Sequence, residues 1–207
     1  MNIGLIGLPK SGKTTLFNAL TGMEASVSAY GAGSLEPNVA MVQVPDPRVE
    51  RLTAMFESRK TTHATIKYVD LAGVSSDAAA KSHGLPEAHL RHLGLMDALL
   101  AVVRAFPNET DGAPDPVADL AAIDLELLLS DMEKVENRLP RLEKSLAAAK
   151  AQGREALLME HSALLKLKQR LDAEQPLRGV ELSPEEAKAI RGFQFLSLKP
   201  MLVVFNV

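Results

Sequence analysis

Short apolar clusters alternate with loops and helical patterns through the first half of the chain, as in an α/β fold. Ile3, Leu5 and Ile6 predict a strand over residues 2–6, and Leu16, Phe17 and Leu20 predict a helix that opens near Lys13. Residues 39–44 and 65–69 read as two more strands of the same sheet. The run 97–103 is apolar throughout from Ala98 to Val103, the pattern of a strand covered on both faces. A similar run, 201–205, comes near the end. In a parallel sheet ligands sit beyond the carboxyl ends of the strands, so the loops 7–14, 70–84 and 206 onward are expected to meet in one crevice.

Between the last two strands the period changes. After Ala113-Pro114-Asp115-Pro116, the residues Leu125, Leu128, Met132, Val135, Leu139, Leu142, Leu146 and Ala149 follow one another at alternating spacings of three and four, which is a coiled-coil seam. Gly153 punctuates the pattern, and Leu157, Leu164 and Leu171 recur every seven residues beyond it, so an antiparallel helical hairpin is expected. Pro140 removes one hydrogen bond from the first helix and predicts a kink. Ser183-Pro184-Glu185-Glu186 has a cap residue, a proline at the first position and acids in the first turn, and starts another helix.

Composition narrows the chemistry. The 207 residues include no cysteine, which removes disulfides, thiolate metal sites and cysteine nucleophiles together and suits a reducing, cytoplasmic setting. No uninterrupted apolar stretch approaches the roughly 20 residues of a membrane helix, so no membrane partner is expected. A net charge of −3 gives no global attraction to nucleic acid. Locally the balance differs: residues 134–170 hold nine Lys or Arg (Lys134, Arg138, Arg141, Lys144, Lys150, Arg154, Lys166, Lys168, Arg170) against four Glu. Such a hairpin suits contact with a phosphate backbone, or is a solvated coiled-coil flank.

The sharpest motif is Gly7-Leu8-Pro9-Lys10-Ser11-Gly12-Lys13-Thr14, a G-x-x-x-x-G-K-[ST] loop placed between a strand and a helix. Its glycines let successive N–H groups turn inward, and the helix N-terminus adds partial positive charge, so a polyphosphate fits the concavity. Lys10, Ser11, Gly12, Lys13, Thr14 and Thr15 are the expected nucleotide contacts, with Lys13 the charge on the β- and γ-phosphates and the Thr14 hydroxyl a hard ligand for Mg²⁺. Asp70-Leu71-Ala72-Gly73 follows the next-but-one strand and matches D-x-x-G, in which Asp70 faces the metal and the Gly73 amide faces the γ-phosphate.

The phosphate loop with Thr15 to Leu20, Glu36-Pro37-Asn38, Val44 to Arg48, Asp70 to Gly73, Val102-Val103-Arg104 and Lys199 to Val207 together resemble the YchF or Obg-like ATPase family, over nearly the whole chain. The resemblance implies a Ras-like P-loop NTPase sheet flanked by helices, interrupted by an inserted coiled-coil hairpin, in a ribosome-associated ATPase; a monomer is expected. The expected division is a nucleotide domain over 1–119 and 196–207, incomplete at its end, and an insertion over 120–195; the family's C-terminal β-rich domain is absent. By the same resemblance Ser34 is the second Mg²⁺ hydroxyl and Asn206 begins the base-recognition motif. The following Val207 departs from Asn-Lys-x-Asp and favours ATP, with GTP still open because the acidic position lies beyond the chain.

Several departures bear on the chemistry. Val74 stands where a water-orienting Gln is common in Ras-like proteins, and the loop 106–116 lacks the His that the resembling family often carries. His83, His89 and His92 lie near the D-x-x-G segment instead, either for catalysis or as residues of an exposed helix. Lys10 replaces the family's usual Asn, and its ammonium would supply charge that relatives draw from a monovalent cation or a partner; a hydrated surface lysine is the alternative. The expected activity is slow, Mg²⁺-dependent ATP hydrolysis coupled to ribosome or ribosomal RNA binding. A GTP-specific Obg-type regulator and a small-molecule phosphotransferase are the rival readings.

Overall fold

A computed structural model describes residues 1–22, 37–71, 87–107 and 112–207. Strands β1 (Asn2–Ile6), β2 (Asn38–Gln43), β3 (Thr65–Asp70), β4 (Ala98–Arg104) and β5 (Met201–Asn206) form one sheet in the order β2-β3-β1-β4-β5. The ladders β1–β3, β1–β4 and β4–β5 are parallel and β2–β3 is antiparallel. Each expected strand is present within a residue of its anticipated ends. Asp97 lies just before β4, its carboxylate accepting a hydrogen bond from the Asn2 N–H (2.6 Å), and β4 is buried from Ala98 to Val103.

The sheet is covered on both faces. On one, α1 (Lys13–Thr21) inserts Phe17 among Leu5, Ala40 and Leu100. On the other, Leu93 of α3 (Glu87–Gly94) and Ile123 and Leu127 of α4 (Pro116–Ala148) pack with Ile6, Val69, Leu71, Leu99 and Leu196. Each fully buried leucine contributes on the order of 2 kcal/mol from apolar burial. The short α2 (Pro47–Met55) joins β2 to β3, begins at the Asp46 cap and buries no residue.

The hairpin consists of α4 and α5 (Ala151–Asp172), supported by α6 (Pro184–Ile190). Its core joins Leu128, Val135, Leu139 and Leu142 to Ala163, Leu164, Leu167 and Leu171, with Ile190 and Phe195 at the base. The expected seam is correct from Leu128 onward and wrong before it: Leu125 is 50% exposed, while Ile123 and Leu127 are buried. The first turns of α4 face the sheet rather than α5, so a different stripe of the same helix is covered there. The turn between the helices lies at 149–150 rather than at Gly153, which falls inside α5 with φ +89°. Helix α4 is continuous across the exposed Pro140. Ser183 and Glu186 form the reciprocal cap expected at the start of α6.

One buried charge joins hairpin to sheet. Asp131 is 0% exposed, and its carboxylate accepts from the N–H groups of Leu196 (2.8 Å) and Ser197 (2.7 Å) and from the Ser197 hydroxyl (2.8 Å), with the Lys134 ammonium at 3.3 Å. Removing the carboxylate strands two buried amides and a hydroxyl. Asp131→Ala is therefore expected to lower the unfolding free energy by about 3 kcal/mol in urea titration, and a loss under about 1 kcal/mol would contradict this role.

Candidate functional site

The loop between β1 and α1 is shaped from outside as well as by its own glycines. A Cβ at Gly7 would lie 2.4 Å from the Val102 carbonyl oxygen of β4 and 2.8 Å from Ser11 Oγ, so no side chain fits. Gly12 precedes α1 in the left-handed region (φ +89°), and a Cβ there would lie 2.2 Å from Asn206 Nδ2 at the end of β5. That amide donates to the Ser11 carbonyl at 3.0 Å. Lys10 also has a left-handed backbone, φ 61°, which a β-carbon disfavours. The N-terminus of α1 has no side-chain cap and no acid in its first turn, so its amides face an anion-seeking opening.

Lys13 folds back over this loop, and its ammonium donates to the carbonyls of Gly7 (2.9 Å) and Leu8 (2.8 Å). Burial pushes its pKa down from 10.5 to about 8, against the opposing pull of the Asp70 carboxylate. The lysine is thus a cation satisfied by neutral carbonyls, and a polyphosphate would supply the missing negative charge. Thr14 Oγ1 donates to Asp70 Oδ2 at 2.9 Å, and Asn38 Nδ2 reaches the same oxygen at 3.5 Å. Asp70 is fully buried. A hydroxyl and a buried carboxylate in contact are hard oxygen donors, so Thr14 and Asp70 would suit Mg²⁺. Among the described residues no three His, Cys, Asp or Glu side chains cluster as a metal site, so the fit rests on this mixed pair.

The structure brings Ser11, Gly12, Lys13, Thr14, Asp70 and Asn206 to one place. Ser11 offers its main chain only, its side chain being buried with Oγ unpartnered. Thr15 is exposed on the first turn of α1, and Lys10 is exposed on the rim of the loop. Ser34, Gly73, Val74 and His83 lie outside the described residues. The other two candidate histidines, His89 and His92, differ in place. His92 is exposed, whereas His89 is half-buried with its pKa lowered, first by burial, then by His92 and Lys13, against Asp70. His89 therefore lies within electrostatic reach of the loop. Asn38 was legible only as part of Glu36-Pro37-Asn38; its approach to Asp70 follows from the antiparallel register that sets Asn38 opposite Asp70.

A family model described as 50S ribosome-binding GTPase matches residues 2–150. The ribosome-binding ATPase YchF of Bacillus subtilis (strain 168) is 38% identical over 211 residues, covering 100% of this chain and 56% of the relative. YchF of Escherichia coli O157:H7 is 35% identical over 208 residues, with 99% of this chain and 56% of the relative covered. The solved structure of the Schizosaccharomyces pombe YchF GTPase aligns with TM-score 0.75 and 29% identity, over 100% of this chain and 56% of that one. The chain thus spans about half the length of the curated relatives it matches. Among the described residues no helix is long and apolar enough to cross a membrane. With the phosphate loop, the Thr14–Asp70 pair and the helical hairpin all inside the matched length, the chain belongs to the 50S ribosome-binding GTPase family and carries the YchF architecture within it.

Proposed function

We propose that this protein binds and slowly hydrolyses a purine nucleoside triphosphate with Mg²⁺, ATP in preference to GTP, and that the bound nucleotide governs contact with the ribosome in the cytoplasm. The observation that carries the reading is the partly buried Lys13 ammonium beside the Thr14–Asp70 oxygen pair, two charge sites suited to the two halves of a magnesium–polyphosphate. Phosphoryl transfer asks chiefly for charge neutralisation and for a positioned water. Lys13 and the loop amides supply the first, and Mg²⁺ held by Thr14 and Asp70, with Ser34 as a further hydroxyl, would supply Lewis acidity at the phosphates. The Gly73 amide is assigned to the γ-phosphate. The Val74 side chain offers no hydrogen bond with which to orient a water, so turnover is expected to be slow.

Asn206 keeps the loop in shape through the Ser11 carbonyl, and the purine edge is assigned to the positions after it. ATP is favoured by the missing lysine and by the name of the bacterial relatives; GTP is the second reading, favoured by the description of the matching family and by the name of the fission-yeast structure. Calorimetric titration with ATP and GTP across pH tests both the site and the choice. ATP is expected to bind more tightly, with Kd flat below pH 8. Above it the empty site loses the Lys13 proton that phosphate requires, so Kd rises by up to about tenfold per pH unit. Binding of neither nucleotide would refute the function, and a pH-independent Kd would refute the role of Lys13.

Lys10 is assigned to the triphosphate as a second ammonium, because a non-glycine residue in the left-handed region persists where the surroundings require it. Lys10→Ala should slow hydrolysis by about tenfold and make it rise with potassium, a small cation restoring the lost charge. Unchanged turnover and an unchanged potassium response would remove this assignment.

The positive charge of the hairpin is concentrated rather than spread. Arg138 is bound to Glu160 (2.6 Å), Lys166 to Glu186 (2.8 Å) and Lys168 to Asp172 (2.7 Å). Arg141, Lys144 and Lys150 remain exposed near the turn, with Arg154 donating to the Leu146 carbonyl. Ribosomal RNA phosphates are the assigned partner of this tip. Replacing Arg141, Lys144 and Lys150 with Ala should reduce the slope of log affinity against log salt for ribosome binding by about 2 to 3. An unaltered slope would place the contact elsewhere.

A further inference from the structure

A short connector, residues 194–199, meets three parts of the molecule at once. Lys199 sends its ammonium to the carbonyls of Gly94 (2.9 Å) and Met96 (2.6 Å), at the C-terminal end of α3 where a cation is favoured. Gln194, with φ 52°, lies against the same helix end: a Cβ at Gly94 would come within 2.9 Å of its Oε1. The hairpin grips the connector from the other side. Lys134 donates to the Gln194 carbonyl (3.1 Å) and lies over the Phe195 ring (5.8 Å), while Asp131 accepts from the amides of Leu196 and Ser197. Beyond Pro200 the connector becomes β5, whose last residue, Asn206, holds the phosphate loop.

Helix α3 connects the nucleotide site to this junction. Its N-terminal half carries His89, which feels the charges of Lys13 and Asp70, and Leu93 packs with Val69 and Leu71 at the end of the strand that bears Asp70. Its C-terminal end is the one held by Lys199. Leu196 belongs to the same buried cluster as Leu93, Ile123 and Leu127, so α3, α4 and the connector share one packed core. A shift of α3 along its axis therefore either breaks the Lys199 hydrogen bonds or moves the connector, and the connector cannot move without Asp131 and the base of the hairpin.

We propose that the 194–199 connector couples nucleotide binding to the helical hairpin, with Lys199 the positioning residue that transmits the motion of α3 to Asp131 and α4. This rests on the nucleotide reading above. It gives the hairpin a way to report the state of a site at the opposite end of the sheet strands, through charge-assisted hydrogen bonds rather than through contact with the ligand.

The test is hydrogen exchange on the whole chain with and without magnesium–ATP, read at hairpin amides 128–139 and 160–171, alongside calorimetric Kd values. In the wild type, nucleotide is expected to change exchange rates there by about threefold or more. Lys199→Met, which keeps the alkyl stem and removes the ammonium, should abolish that change while leaving the ATP Kd within about threefold, and Lys199→Arg should restore it. Hairpin exchange that ignores bound nucleotide in the wild type would overturn the proposal whatever the variants do. So would a nucleotide response that survives in Lys199→Met. Absence of binding of both ATP and GTP to the wild type would instead overturn the nucleotide reading itself, and this inference with it.

Discussion

The phosphate loop takes its form from two polar groups that press on it from neighbouring strands. The Val102 carbonyl of β4 occupies the space a side chain at position 7 would need, and the Asn206 amide of β5 occupies the same space at position 12 while bonding the Ser11 carbonyl. The glycines are thus required by close approach as much as by backbone conformation. With the loop pinned, the Lys13 ammonium donates to the carbonyls of Gly7 and Leu8, within the electrostatic reach of Asp70, and α1 begins without a side-chain cap. Both features gather positive charge in a partly buried place, with Asp70 as a nearby carboxylate. An anionic ligand is what would complete the electrostatics.

The same sheet supports an element with a different purpose. Helix α4 begins as a covering helix of the nucleotide fold and continues as one arm of the hairpin without interruption, changing its buried face where its neighbour changes from strand to helix. A buried carboxylate marks that change. Asp131 is costly to desolvate, and the three donors from Leu196 and Ser197 offset that cost by fixing where the chain returns to the sheet. An apolar residue there would leave the angle between hairpin and sheet less defined.

Charge is distributed to match these two roles. The chain is slightly acidic as a whole, yet Lys134, Arg138, Lys166 and Lys168 are paired with Asp131, Glu160, Glu186 and Asp172, Arg170 donates to the Pro176 carbonyl, and Arg141, Lys144 and Lys150 near the turn are exposed. Counting Lys and Arg along the sequence marks the whole hairpin as basic. Pairing in three dimensions leaves Arg141, Lys144 and Lys150 as exposed bases near the turn.

Much was legible beforehand because the responsible forces are local. Strand β4 announces itself by having no polar face, the helix after Lys13 by its spacing, the α6 cap by Ser183 and Glu186, and the phosphate loop by glycines at required intervals. The heptad seam was right where two helices face one another and failed at Leu125, where the facing element is a sheet that no periodicity encodes. Gly153 suggested a turn that lies at 149–150 instead, since either glycine or the end of a buried stripe can stop a helix. Residue type and spacing therefore determined which elements form and which chemistry they can carry. Only tertiary packing decided the depressed pKa of Lys13, the singling out of His89, the pairing of the hairpin bases and the meeting of Asp131 and Lys199 on one connector, because burial and electrostatics depend on neighbours far apart in the chain.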